Sequence, residues 1–241
     1  MASKSVPSRP RPRLYLALPA LDDNAPSPSS SPSSWPWLER LPGLLQAADV
    51  AAVLVRLKPS DPRSMISRVK AIAPAVQASG AALLLDGNAD LVARSGADGA
   101  HLTGLVAMQE ALPTLKPDRI SGVGGLPTRH ESMAAGEAGA DYVLFGEPDA
   151  RGERPSQEAI AERLQWWAEL FEPPCVGYAT SREEVDAFVL AGADFILVDD
   201  LVWSDPRGAT TALAEIGQAI DTTFDRTRGP TPSDPGPTPS R

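Results

Sequence analysis

The stretch AALLLDGNADLVARSGADGAHLTG, residues 81–104, decides the fold. It opens with an apolar run of the kind found in buried strands, and the polar turn Asp86-Gly87-Asn88 follows at once. A short helix and a second strand-like segment, GAHL, complete a βαβ unit, and so compact a unit implies two parallel strands. If the unit repeats, the carboxyl ends of the strands gather on one face. Asp86, Asn88 and His101 fall on that face, where such folds hold their chemistry.

Upstream, residues 13–18 read as a first strand (LYLAL), residues 37–48 as a helix with Leu38, Leu41, Leu44 and Leu45 at helical spacing, and residues 51–57 as a second strand. Asp61 is placed to cap a helix that opens at Pro62 and ends at Gly80. Downstream, a helix at 105–115 precedes a strand at 119–124, and a helix at 128–138 precedes a strand at 142–146. A helix capped by Ser156 leads to a strand at 174–178. A helix at 181–191, with a capping box at Ser181 and Glu184, leads to a strand at 195–198, and a last helix runs from Asp205 to about Thr222.

Eight strands alternating with eight helices is the count of a (β/α)8 TIM barrel, an α/β fold that fills a chain of 241 residues as a single domain. Alternation alone also admits an open, doubly wound sheet. The expected layout is a disordered basic leader at 1–12, the barrel at 13–222 with a Ser/Pro-rich loop insertion at 22–34, and a disordered Pro-rich tail at 223–241. These polar segments have nothing to bury.

The repeated words SGADGAHL, AGADYVLF and AGADFILV join a helix to a strand three times. Gly96, Gly139 and Gly192 read as helix C-caps, and Asp98, Asp141 and Asp194 then stand on the amino-terminal face of the strands, where residues serve stability rather than chemistry.

A formal net charge of −9 argues against a nucleic-acid partner, since that affinity comes from clustered Lys and Arg. A small phosphorylated ligand needs only a local cradle and stays open. Cys175 is the sole cysteine, which rules out an intrachain disulfide and a four-cysteine metal site and fits a reducing cytosol. No apolar run is long enough to span a bilayer, and the start of the chain does not read as a signal peptide, so the expectation is a cytoplasmic protein without a membrane partner.

The chain resembles the thiamine phosphate synthase / thiazole tautomerase (TenI-like) family of (β/α)8 proteins. The matching words are LYLAL, VLVRLK, LLLDGNADLVARSGADGAHL, AAGEAGADYVLFGEP and AGADFILVDDLV, which occur in family order over most of residues 13–222. The resemblance implies the barrel and a small-molecule ligand. It also implies a transferase that joins a pyrimidine pyrophosphate to a thiazole phosphate using magnesium, or, in the tautomerase branch, an enzyme that isomerises the thiazole ring.

Carried over residue by residue, it nominates a site. Arg56 and Lys58 alternate onto one face, where two cations would meet a pyrophosphate or pair with Asp86. The family's two magnesium-ligand positions hold Gly87 and Val106, which leaves Asp86, one residue away, as the candidate Mg2+ ligand. Asn88 and His101 flank that strand end. The Ser and His of the fifth-strand motif are replaced by Gly124 and its neighbours, with His130 displaced into the helix. The loop after the sixth strand offers Gly146 and, in place of a lysine, Arg151 as a phosphate clamp. The phosphate cradle of the last two loops is spelled Gly177-Tyr178 and Asp199-Asp200, and carboxylates there suit a cation, an amine or a hydroxyl better than an anion. Three readings follow: a thiamine phosphate synthase with an altered site, a noncatalytic binding or regulatory module on the same barrel, or an enzyme for a non-anionic substrate built on Asp86, His101, Asp199 and Asp200.

Overall fold

The computed structural model describes residues 9–21 and 37–228. The expected loop insertion at 22–34 lies outside the described residues, as do residues 1–8 of the leader and 229–241 of the tail. Eight parallel strands close into a barrel in chain order: β1 (Arg13–Ala17), β2 (Val50–Val55), β3 (Ala82–Asp86), β4 (Gly99–Thr103), β5 (Ile120–Gly124), β6 (Tyr142–Phe145), β7 (Cys175–Tyr178) and β8 (Phe195–Val198). The seam pairs Leu14 with Ile196 and Leu16 with Val198, which excludes the open-sheet alternative.

Period-2 alternation divides each strand between two cores. Tyr15, Ala17, Leu54, Leu84, Tyr142, Leu144, Val176, Tyr178 and Leu197 point inward and fill the barrel. Leu14, Leu16, Val53, Val55, Leu83, Leu85, Val143, Ile196 and Val198 point outward, under the helices α1 (Leu41–Leu45), α2 (Pro62–Ala78), α3 (Val92–Ser95), α4 (Leu105–Leu115), α5 (Arg129–Glu137), α6 (Gln157–Leu170) and α7 (Arg182–Leu190). Both faces are buried, so the strands read as unbroken apolar runs.

The Gly-Ala-Asp joints do at the closed end what their position suggests. Gly96, Gly139 and Gly192 take left-handed φ values of 78°, 101° and 90°. Each aspartate then ties its strand to the one before. Asp98 Oδ2 accepts from Leu83 N at 2.8 Å, Asp141 Oδ2 from Ser121 N at 2.7 Å, and Asp194 Oδ2 from Cys175 N at 2.8 Å.

Several boundaries differ from expectation. The first helix is shorter than 37–48: a 3-10 turn at Leu38–Arg40 leads into α1, since Pro42 and Gly43 are poor at extending a helix. The box at Ser181 is half formed. Ser181 Oγ accepts from Glu184 N, while the Glu184 carboxylate reaches past it to Thr180 N at 2.7 Å. Both halves of a capping box are present at Thr128 and Glu131. Asp205 closes a turn by accepting from Arg207 N at 2.8 Å instead of opening a helix. A short helix, α8 (Asp200–Trp203), precedes that turn, and α9 (Ala209–Arg228) follows it. The tail boundary at 223 is therefore corrected: Thr223 is buried and bonds Asp186, and Phe224 is buried. From the leader, Arg11 pairs with Asp221 and Asp225 at 2.7 Å each, and Arg9 Nη2 donates to Ala168 O.

Candidate functional site

At the open end of the barrel, inward alternation continues one residue beyond β2 and β8 and delivers Arg56 and Asp199 to the mouth, with Asp86 at the end of β3. Arg56 is the hub: Nη1 donates to Asp199 Oδ2 at 3.0 Å, and Nε stands 3.6 Å from Asp86 Oδ2. Asp199, 8 % exposed, also accepts from the Tyr178 hydroxyl at 2.7 Å and, at Oδ1, from Asp200 N at 2.5 Å.

These contacts set the protonation balance. Burial works against the Arg56 charge, but the hydrogen bond and charge of Asp199, with Tyr178 and Asp86 behind, outweigh it and raise its pKa. Asp86 is pushed above the usual aspartate value by burial, aided by Glu147 and opposed by His101 and Arg56. The Tyr178 hydroxyl is raised by burial and by its bond to Asp199, so it stays a donor at neutral pH.

A second polar chain crosses the barrel one layer deeper. The Tyr15 and Tyr142 hydroxyls lie 3.0 Å apart, Tyr142 Oη is 3.0 Å from His101 Nδ1, and His101 Nε2 is 3.1 Å from Glu147 Oε1. His101 Nε2 faces the Glu147 carboxyl and donates its N–H to it, and Nδ1 faces the Tyr142 hydroxyl. His101 is fully buried and stacks on Tyr142, with ring centroids 5.7 Å apart. Two glycines make the room. A Cβ at Gly122 would lie 1.9 Å from the Tyr142 ring, and one at Gly124 would lie 1.8 Å from Glu147 Oε2. That oxygen is buried without a hydrogen-bond partner among the described residues.

The other expected residues scatter. Asn88 shapes the turn after β3, with φ 47° and its side-chain amide donating to Asp86 O at 3.0 Å. Lys58 is exposed beyond the bridge that joins Leu57 to Leu21. Gly146 has φ 101°, and a Cβ there would crowd Ile160 and the Tyr178 carbonyl. Asp200 is exposed on the first turn of α8, and His130 is exposed on α5. Gly177 lies in β7 with its open side outward, where a Cβ would meet Phe188 at 2.9 Å and Leu164 at 3.0 Å. Arg151 is exposed in a turn that Asp149 closes. The cation at that level is Arg154, whose Nε donates to Gly146 O at 2.6 Å and Nη2 to Tyr178 O at 2.7 Å, while Nη1 pairs with Glu184 at 3.0 Å.

Sequence reasoning passed over Tyr15, Tyr142, Glu147 and Arg154. The inward alternation that selects His101 also selects the two tyrosines, a signal present in the sequence. Glu147 and Arg154 lie in a loop, where periodicity is silent. Beside Glu147 a cavity of about 760 Å³ opens between the loops after β5 and β6, with Leu126, Leu144, Phe145 and Ile160 on its walls.

The residues present do not fit magnesium. The ion needs several hard oxygen donors in an octahedral shell. Gly87 and Val106 supply no side-chain donor, Val106 is 67 % exposed, and Asp86 faces Arg56. Among the described residues no three His, Cys, Asp or Glu side chains group as metal ligands.

Comparison with known proteins places this barrel. Residues 31–200 match the family model described as thiamine monophosphate synthase. A thiamine-phosphate synthase of Rhodospirillum centenum is 38 % identical over 212 residues, covering 86 % of this chain and 97 % of that protein. One from Hyphomonas neptunium is 33 % identical over 215 residues, covering 85 % and 92 %. Among solved structures, a thiamine phosphate pyrophosphorylase from Pyrococcus furiosus superposes with a TM-score of 0.67 at 19 % identity, over 89 % of this chain and 98 % of that one. That last likeness speaks for the fold.

Proposed function

We propose that this chain, which belongs to the thiamine monophosphate synthase family, works as a thiamine-phosphate-synthase-type transferase in the cytoplasm, joining a pyrimidine pyrophosphate to a thiazole phosphate. The observation that carries the reading is Arg56 at the barrel mouth between two carboxylates, Asp199 at 3.0 Å and Asp86 at 3.6 Å. Such a reaction moves charge in opposite directions. As the carbon–oxygen bond to pyrophosphate breaks and a ring nitrogen takes the carbon, negative charge leaves with the pyrophosphate and positive charge grows on the joined heterocycles. A fixed guanidinium suits the first and fixed carboxylates suit the second.

In this reading Arg56 receives the pyrophosphate, and the bond to Asp199 holds Arg56 aimed at the mouth in the meantime. Asp86 and Asp199 face the growing cation. Asn88 holds the Asp86 turn, and the His101–Glu147 pair, backed by Tyr142, forms a rigid polar floor. Gly124 leaves room for Glu147 beside His101, and Gly146 turns the chain just past β6. No tautomerase role is assigned, because His130 is on the helix surface.

The test supplies purified protein with a pyrimidine pyrophosphate, a thiazole phosphate and a magnesium salt, and follows pyrophosphate release and the coupled product. Release that depends on the thiazole, reduced about 100-fold or more in Arg56→Met, supports the reading. No coupled product from any thiazole, together with failure to rescue a thiamine auxotroph, would overturn it and leave the noncatalytic module standing.

A further inference from the structure

We infer that Arg154 is a positioning residue for the transfer reaction: it holds Tyr178, which through Asp199 keeps Arg56 in place for the pyrophosphate. The inference rests on the synthase reading above and adds to it a residue that acts through others.

Arg154 lies in the loop between β6 and α6, with a side chain that is 20 % exposed. A guanidinium carries five N–H donors, and each of them has an acceptor here within the chain. Nε donates to Gly146 O at 2.6 Å. Nη1 donates to the Thr180 hydroxyl at 2.9 Å and to Glu184 Oε1 at 3.0 Å, and Nη2 to Tyr178 O at 2.7 Å and to Glu184 Oε2 at 3.3 Å. The fork thus joins the turn after β6, the end of β7 and the first turn of α7. Glu184 is fixed from its other side by Thr180 N at 2.7 Å and by the Thr180 hydroxyl at 2.9 Å, so the acceptor of the fork is itself held.

Tyr178 is gripped twice. Its carbonyl takes the Nη2 bond, and the guanidinium stands over its ring, 5.2 Å from the centroid, within cation–π range. The hydroxyl of the ring so held donates to Asp199 Oδ2 at 2.7 Å, the same oxygen that accepts from Arg56 Nη1 at 3.0 Å. One tyrosine and one carboxylate therefore link the two arginines, in a contiguous chain of packed and hydrogen-bonded groups of the kind that couples one position to another. A direct grip on a phosphate is a matter of charge, which a lysine also supplies. This linkage depends instead on a planar fork with five directed donors, which a lysine lacks.

The experiment uses the full chain with a magnesium salt and measures kcat, KM for the pyrimidine pyrophosphate and KM for the thiazole phosphate. The variants are Arg154→Lys, Tyr178→Phe and the two combined, with thermal melts alongside. Arg154→Lys should raise KM for the pyrimidine pyrophosphate about tenfold and leave kcat and the other KM within about twofold. Tyr178→Phe should give a rise of the same kind, and adding Arg154→Lys to it should raise that KM by less than about twofold more. A residue that only supports folding would lower Tm and leave that KM unmoved. If Arg154→Lys does not fold, Glu184→Gln loosens the same fork from α7 and should give the same rise. Three results overturn the inference and leave the synthase reading intact: an unchanged KM for the pyrimidine pyrophosphate, an equal rise for both substrates, or a full effect that persists in the Tyr178→Phe background as a direct grip on the substrate would. No turnover by the unaltered protein overturns the synthase reading, and calorimetry with inorganic pyrophosphate and the magnesium salt then decides the role of Arg154. An affinity loosened about tenfold by Arg154→Lys, and no further in the Tyr178→Phe background, supports the linkage. An affinity unmoved by Arg154→Lys, or no binding at all, sinks it.

Discussion

Gly124→Ala tests whether Glu147 lies where the structure puts it. The glycine has an ordinary strand φ, so alanine introduces no backbone strain, and in a strand interior the exchange by itself is neutral or favourable by up to about 1 kcal/mol. The cost comes from one neighbour: the added Cβ would stand 1.8 Å from Glu147 Oε2 and 3.1 Å from His101 Nε2. Glu147 ends a flexible side chain and can swing away, but it then leaves His101, which is fully buried, with an unpartnered N–H. Losing a bond of that kind costs about 1–3 kcal/mol. The expected penalty in the native background is therefore about 1–2 kcal/mol, or roughly 2–8 °C in Tm for a chain of this length. In a Glu147→Ala background the clash is gone, and Gly124→Ala should be neutral or slightly stabilising. The double-mutant cycle, read by urea midpoints and thermal melts, should give a coupling of about 2 kcal/mol. Equal penalties in both backgrounds would refute the placement of Glu147 over β5.

Three further outcomes follow from other parts of the fold. Asp194→Ala leaves Cys175 N without its acceptor at the closed end and should destabilise by about 1–3 kcal/mol with kcat unchanged; a loss of activity without a loss of Tm would contradict its structural role. Asp86 has its pKa raised chiefly by burial, so its contribution to folding is most favourable below the ordinary aspartate pKa near 4 and is lost as pH rises through the higher folded value. Asp86→Asn should therefore raise Tm at pH 7 by about 1–3 °C and by less at pH 4, and a uniform fall at both pH values would show that the pairing with Arg56 dominates instead. Tyr178→Phe removes the shortest side-chain bond to Asp199 and should lower stability by about 1–2 kcal/mol, and a melt that matches the unaltered protein would show that water replaces the hydroxyl at no cost.

The barrel was legible because its signals repeat. Strands with both faces buried, glycines at φ near +90° and aspartates that bond backward across strand pairs recur at three joints, and each copy confirms the others. The ends of the elements were less legible where a single side chain decides. Asp205 has the composition of a helix cap yet closes a turn with Arg207, and α9 runs on to Arg228 because Thr223 and Phe224 pack inward, in a stretch where composition had already turned polar. The mouth was read residue by residue, and there position along the strand mattered more than residue type. Arg56, Asp86 and Asp199 share the inward phase and meet. Gly177 has the outward phase and packs on Phe188, and Arg151 has no phase at all because it lies in a turn.

That distinction bears on what the family's motifs mean in this chain. The words that match best are those whose side chains face the helices or tie the closed end, and their physics does not depend on the ligand. The words that differ sit at the last inward position of a strand or just past it, where a substitution changes the charge of the mouth with little effect on the core. Asp199 shows the coupling. It cannot be exchanged alone without freeing Arg56, Tyr178 and the Asp200 N–H together, because all three donate to it. A carboxylate with three donors in a buried mouth is held there by all of them, so its arrival fixes the direction of Arg56 and spends a backbone donor at the same time. Removing Asp199 should accordingly change pyrophosphate affinity, read by calorimetry, whereas removing Asp200, exposed on α8, should leave it unchanged.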